Sequence, residues 1–239
     1  MEPDTVFWMA SNTKGVLGAL VLNLASEGKL SLDDRVEKYF PSWKTLAATN
    51  RPTLRMLLCH TSGLARFTDT ALPRLGMEAL AERAAEQTAR RATVYKLSKD
   101  KPPRPEEPVR KLVAPYTRIG EHPEAGGGLL STPQDMIKFF QMIARGGRTP
   151  DGKVLISEPL MREWTTKQTP PAIKTPYSFG MIVSGKGAIS HGGACGTWGE
   201  ANIITRKARL YMVNFQGKSK ASKDFRENWK RQTTLSPTH

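Results

Sequence analysis

Ser11 and Lys14 stand three residues apart in the run Ser11-Asn12-Thr13-Lys14, at the mouth of an apolar segment. On a helix this spacing puts both side chains on one face, about one turn apart. An amine held there can touch the hydroxyl and take its proton, which a serine needs to become a nucleophile. Near the other end of the chain, His191-Gly192-Gly193 arrives on a strand-like segment. A Gly-Gly pair on a strand lets a substrate approach the backbone closely. Together these residues point to acyl transfer through a serine. The competing reading of Ser11 is a helix N-cap, because Ser-x-x-Lys alone occurs by chance in many chains.

The surroundings favour the nucleophile. Val6-Phe7-Trp8-Met9-Ala10 is apolar and leads straight into the motif. Val16, Leu17, Leu20, Val21 and Leu24 then recur at helical spacing, which predicts a helix over 12–27 with a buried stripe. Gly28 is placed to end it. A nucleophile at the N-terminus of a buried helix has a rigid support and backbone N–H groups aimed at the reacting oxygen.

Five segments carry a family resemblance. The run from Phe7 to Trp43 resembles the nucleophile helix and following loop of class C β-lactamase-like serine hydrolases, a group that includes penicillin-binding proteins, D-amino-acid peptidases and esterases. Glu27-Gly28-Lys29-Leu30-Ser31-Leu32-Asp33-Asp34 is similar to the segment after that helix, and Leu57-Leu58-Cys59-His60-Thr61-Ser62-Gly63-Leu64 resembles the His-Thr-Ser-Gly-Leu signature. Ala125 to Thr132 resembles the Gly-rich turn into a helix. His191-Gly192-Gly193-Ala194-Cys195-Gly196-Thr197-Trp198 resembles the third active-site motif, where other members carry Lys-Thr-Gly. The matches keep the family's order. The resemblance implies a β-lactamase/transpeptidase-like domain over 1–239.

Two departures accompany the matches. The family carries a Tyr-x-Asn motif whose tyrosine helps move the serine's proton, and this chain has no Tyr-x-Asn. The family also has strands before the Ser-x-x-Lys helix, whereas this chain begins ten residues before Ser11. The expectation is a family member lacking its N-terminal strands and an internal block near 65–80. Family members are often exported; no signal peptide is visible here, so the compartment stays open.

Composition narrows the alternatives. At 239 residues one domain with a sizeable core is expected. No apolar run approaches the roughly 18 residues of a membrane span. The cysteines Cys59 and Cys195 are expected to be buried and inert rather than a disulfide framework. Histidines 60, 122, 191 and 239 show no metal-ligand spacing, so neither metal nor cofactor is expected. Thirty-six basic against twenty-two acidic residues give a net charge of +14. The excess is spread out, without a nucleic-acid motif or interleaved aromatics, and reads as a solvated basic face.

The elements that must position the motifs run helices first, strands last. A short helix is expected near 53–59, a longer one over Glu78–Arg91, and a proline-bearing loop over Lys99–Pro108. Gly126-Gly127-Gly128 reads as a tight turn into a helix, with Thr132 as N-cap, Pro133 in the first turn and Asp135 in the third position. Met136, Phe139, Phe140 and Ile143 form its apolar face, and Gly146-Gly147 ends it. A strand over Tyr177–Val183, a turn at Gly185–Gly187, a strand from Ala188 carrying His191, and a hairpin of Ala201–Thr205 with Leu210–Phe215 make an antiparallel meander. Ala221, Phe225 and Trp229 mark a terminal helix. The fold class is α+β, a predominantly antiparallel sheet flanked by helices.

The expected mechanism follows from residues and resemblance together. Ser11 attacks a carbonyl of an ester, amide or β-lactam, and Lys14 accepts its proton. The resemblance implies an oxyanion hole from the N–H groups of Ser11 and Ala194 and a substrate wall of His191, Gly192, Gly193 and Ala194. His191 binds a substrate carboxylate, assists proton transfer, or is simply hydrogen-bonded within the cleft. His60 is expected to be a buried structural histidine. A catalytically impaired relative that keeps the cleft for binding, and a basic scaffold, remain open as other readings. Without the N-terminal strands, Leu210–Phe215 is expected to be a sheet edge through which copies self-associate.

Overall fold

The apolar run ahead of Ser11 forms β1 (Phe7–Trp8), a 3₁₀ turn over Ala10–Asn12 and then α1 (Thr13–Ser26) in the computed structural model. The structure describes residues 2, 4–44, 51–63, 92, 95–98, 101–105, 126–216 and 227–228. α1 stops as expected: Gly28 has φ 70 and donates its N–H to Ala25 O at 3.0 Å. α2 (Leu54–Leu58) is capped by the Thr53 hydroxyl, which accepts from the Met56 N–H at 3.2 Å. The expected internal block near 65–80 and the Glu78–Arg91 helix lie outside the described residues, as do Ala221, Phe225 and Trp229.

β2 (Tyr95–Ser98) pairs antiparallel with β3 (Lys101–Pro105), and β3 replaces part of the expected Lys99–Pro108 loop. Prolines at 102, 103 and 105 fit because β3 pairs on one side only among the described residues, and an edge strand can do without some of its donors. β4 (Leu130–Ser131) pairs antiparallel with β1 and ties the Gly-rich turn to the segment before Ser11. α3 (Pro133–Ala144) is capped as the sequence predicts, with the Thr132 hydroxyl accepting from the Asp135 N–H at 3.2 Å. Met136, Phe140 and Ile143 are buried on its inner face. α4 (Glu158–Trp164) follows.

The last third builds a five-stranded antiparallel sheet from β5 (Tyr177–Ser178), β6 (Met181–Gly185), β7 (Ala188–Gly192), β8 (Trp198–Asn202) and β9 (Lys207–Tyr211), in that order. The expected single strand over Tyr177–Val183 is two strands. Phe179 (φ 31) and Gly180 (φ 82) turn left-handed between them, and Tyr177 pairs with Ile182. The expected hairpin is shifted: β8 ends at Asn202 and β9 begins at Lys207, so the basic residues Lys207 and Arg209 are in the strand and not the turn. β9 is the last strand of this sheet, but the expected edge strand Leu210–Phe215 is interrupted. β10 (Phe215–Gln216) leaves to pair in parallel with β2. No helix among the described residues is long and apolar enough to cross a membrane.

Strand alternation puts Ile189, His191, Gly199 and Ala201 on one face of this sheet. α1 and α3 both pack there, with Phe140 of α3 filling the space beside Gly199 that a side chain would need. The core gathers Leu22, Phe140, Ile143, Met161, Trp164, Phe179, Met181 and Ile189. Here α1 departs from the sequence reading. Its buried residues are Gly15, Gly18, Ala19 and Leu22, while Leu20 is 55% exposed. Close approach decides the face: small residues let α1 lie directly on the β5–β6 turn.

A methyl at Gly18 would fall on the Phe179 carbonyl oxygen, which is backbone, whereas one at Gly15 would meet the movable Met181 sulfur. Helix propensity favours alanine over glycine by about 1 kcal/mol, and overpacking against rigid atoms costs about 1–3 kcal/mol. Gly18→Ala is therefore expected to lower Tm clearly, and Gly15→Ala to leave it nearly unchanged. Thermal unfolding of both variants checks the order; equal shifts would refute the close-approach argument.

Candidate active site

Ser11 sits in the 3₁₀ turn at the mouth of α1 and does not cap it; the helix start has no side-chain cap. Lys14, one turn further, brings Nζ to 2.9 Å from Ser11 Oγ. The same Nζ donates to Gly126 O at 2.6 Å. That carbonyl comes from the Gly-rich turn, so the turn read from sequence as a helix entry also anchors the lysine. Gly127 O takes the Trp8 Nε1–H at 2.5 Å, which fixes the turn to β1. Thr13 Oγ1 accepts from the Leu129 N–H at 3.0 Å and donates to Ala10 O at 2.6 Å. Ala10 itself has φ 45, a left-handed conformation that costs a non-glycine residue and is typical of functional turns.

The loop after β7 closes against this turn. Gly193 N–H donates to Thr197 O at 2.6 Å. A Cβ at Gly193 would lie 2.6 Å from Met9 O and 3.3 Å from the Ala10 Cβ. Packing of this loop on the Ser11 turn thus leaves no room for a side chain at 193. At Gly192 an added Cβ would meet only ordinary contact, 3.6 Å from Trp198 Cδ1. Ala194 is exposed at the tip. Buried Asn12 and Thr197 join the two segments: Asn12 Nδ2 donates to Thr197 Oγ1 at 3.1 Å.

His191 is half-buried at the end of β7, with both ring nitrogens engaged. Nδ1 is 2.9 Å from Gly192 O, which can only accept, so Nδ1 carries a hydrogen. Nε2 is 3.2 Å from the Tyr177 hydroxyl. Burial pushes the His191 pKa down, opposed by the hydrogen bond to Gly192 O and helped by the Lys14 charge and His60, with a net lowering. The ring is therefore neutral near pH 7, and its bare Nε2 accepts from Tyr177. Burial keeps the Tyr177 phenol protonated by raising its pKa.

His60 departs from the sequence expectation. It is exposed and has φ 58. It follows α2, with the Thr61 N–H donating to Met56 O at 2.9 Å, in the left-handed place where glycine is commonest. Its ring stacks on Tyr177 with centroids 4.8 Å apart at 28°. Although the residue as a whole is exposed, partial desolvation of the stacked ring, and then the Lys14 charge, lower its pKa. Cys59 and Cys195, in contrast, are buried and free of disulfide as expected, and burial raises the Cys59 pKa. Sequence reasoning missed Tyr177, which touches both histidines. The remaining sequence-derived residues converge: Ser11 with Lys14, and Gly193 against the turn that holds them. The Lys14 charge reaches His191.

The family model described as Beta-lactamase matches residues 1–86 and 74–233. "Protein flp" of Staphylococcus aureus is 41% identical over 65 residues, which are 26% of this chain and 13% of that protein. "Esterase EstB" of Burkholderia gladioli is 42% identical over 67 residues, 27% of this chain and 17% of that protein. The chain thus matches less than a fifth of the length of either relative. Among solved structures, the unliganded simvastatin synthase LovD from Aspergillus terreus superposes with a TM-score of 0.75 at 16% identity, covering 99% of this chain and 86% of that one. The fold is that of the β-lactamases and transpeptidases. With a family model matched along nearly its whole length, the chain belongs to the Beta-lactamase family.

Proposed function

We propose that the chain is a serine hydrolase that cleaves uncharged carboxylic esters through an acyl-enzyme on Ser11. The observation that carries this reading is the 2.9 Å approach of Lys14 Nζ to Ser11 Oγ, with Gly126 O holding the amine in place. In the reaction, neutral Lys14 takes the Ser11 proton as Oγ attacks the carbonyl carbon. The N–H groups of Ser11 and Ala194 stabilise the oxyanion. The carbonyl re-forms, the C–O bond to the alcohol breaks, and the alkoxide takes the proton back from Lys14. Water then repeats the sequence on the acyl-enzyme and frees the acid.

Esters are favoured over carboxylate-bearing substrates because both His191 ring nitrogens are engaged, by Gly192 O and the Tyr177 hydroxyl, and leave no donor on that wall for a substrate carboxylate. Leaving a charge unpaired in a half-buried site costs free energy. The name of one relative, an esterase, agrees. A matched pair of substrates tests the preference: p-nitrophenyl butyrate and the p-nitrophenyl monoester of succinate share a leaving group and differ by a carboxylate. The butyrate should be turned over with a kcat/KM at least about tenfold higher, equivalent to about 1.4 kcal/mol. Equal values, or a preference for the succinate, would overturn the uncharged-ester reading.

A further inference from the structure

The wall facing Lys14 holds three rings in contact. Tyr177 OH lies 3.2 Å from His191 Nε2, and the two rings meet edge to face with centroids 6.0 Å apart. On its other side Tyr177 stacks with His60 at 4.8 Å. Tyr177 is buried, at 8% exposure, and sits on β5, just before the left-handed Phe179-Gly180 turn against which α1 packs. One tyrosine is therefore fixed by the same turn that seats the Ser11–Lys14 helix, and it holds one histidine by a hydrogen bond and another by its face.

We propose that Tyr177 is a positioning residue of this site: its hydroxyl fixes the ring orientation and tautomer of His191, and its face seats His60 beside the cleft. The inference rests on the acyl-transfer reading for its consequence but not for its geometry. Gly192 O requires a hydrogen on Nδ1, and a neutral ring then has one lone pair, on Nε2. Only a donor can satisfy that nitrogen, and Tyr177 supplies it. Remove the hydroxyl and the ring can turn or exchange tautomers, so the wall opposite Ser11 loses its fixed polarity. His60 adds an independent sign of constraint. It keeps a left-handed backbone that glycine would adopt without strain, and what it presents there is the ring on Tyr177.

The measurement is the ¹⁵N imidazole spectrum of the full chain near pH 7, with the His191 signals identified by their loss in His191→Gln. The wild type should show a protonated Nδ1 and a bare Nε2. Tyr177→Phe, which keeps the ring and the His60 stack, should move His191 toward a mixture of tautomers. It should also lower kcat about tenfold while KM stays within about twofold, as small misplacements at a reacting site do. A wild-type His191 protonated on Nε2, or a spectrum unchanged in Tyr177→Phe, would overturn the proposal whatever the activity. If Tyr177→Phe does not fold, the wild-type spectrum alone decides: a bare Nε2 supports the pair and a protonated one overturns it. Failure of Ser11 to be acylated, with the tautomer as expected, would fault the reaction and leave the Tyr177–His191 pair standing.

Discussion

Ser11→Ala should abolish covalent labelling by a fluorescent penicillin or fluorophosphonate and reduce ester hydrolysis at least about 10³-fold, since removal of a nucleophile leaves only the catalysis of the remaining oxyanion and binding groups. The expectation comes from the turn and not from the motif alone. Ser11 does not cap α1, so its hydroxyl is not committed to the helix. Its oxygen is 2.9 Å from an amine that is itself anchored by Gly126 O. The residue before it, Ala10, is held left-handed at φ 45 with its neighbours pressed by the Gly193 loop. Mass spectrometry of the labelled wild type should place the adduct on Ser11. An adduct that persists in Ser11→Ala would move the nucleophile elsewhere, and a wild type that takes no label would support the reading of a cleft kept for binding.

The Ser11–Lys14 contact was legible because residues three apart at a helix start fall on one side, and the Thr132 cap because side-chain oxygens before a helix have few other uses. The antiparallel meander was legible in order but not in register. Phe179 breaks one expected strand with a positive φ, a conformation that phenylalanine rarely adopts and that no local signal announces. The apolar stripe of α1 misled for a related reason. Leu17, Leu20 and Leu24 look like a core face, yet backbone contact with the Phe179-Gly180 turn selects Gly15 and Gly18 as the inner face. Close approach leaves its trace in small residues, which hydrophobic periodicity does not weigh. Proline content misread 101–105, because the side of a strand that lacks a partner does not need its N–H groups. Tyr177 was invisible in sequence. Its role exists only where β5 meets β7 and the end of α2, three segments far apart along the chain.

Lys14→Arg should lower the esterase rate by about 10²-fold or more, the range general-base catalysis commonly supplies, while leaving the fold intact. Arginine keeps the positive charge and can still donate to the Gly126 carbonyl that Lys14 now reaches at 2.6 Å, so the turn retains its anchor. What it cannot do is present a neutral nitrogen to the Ser11 hydroxyl, because a guanidinium does not lose its proton in water. If Lys14 acted only as a cation, orienting the hydroxyl or stabilising the oxyanion, the arginine variant would keep most of its activity. A second variant separates loss of the base from loss of shape. Lys14→Ala leaves a gap beside Ser11 Oγ into which a small primary amine can diffuse. Added amines should restore part of the rate in proportion to their unprotonated concentration, so rescue should rise with pH until the amine is fully deprotonated. Rescue that follows the ammonium form, or an arginine variant as active as the parent, would remove Lys14 from the proton transfer.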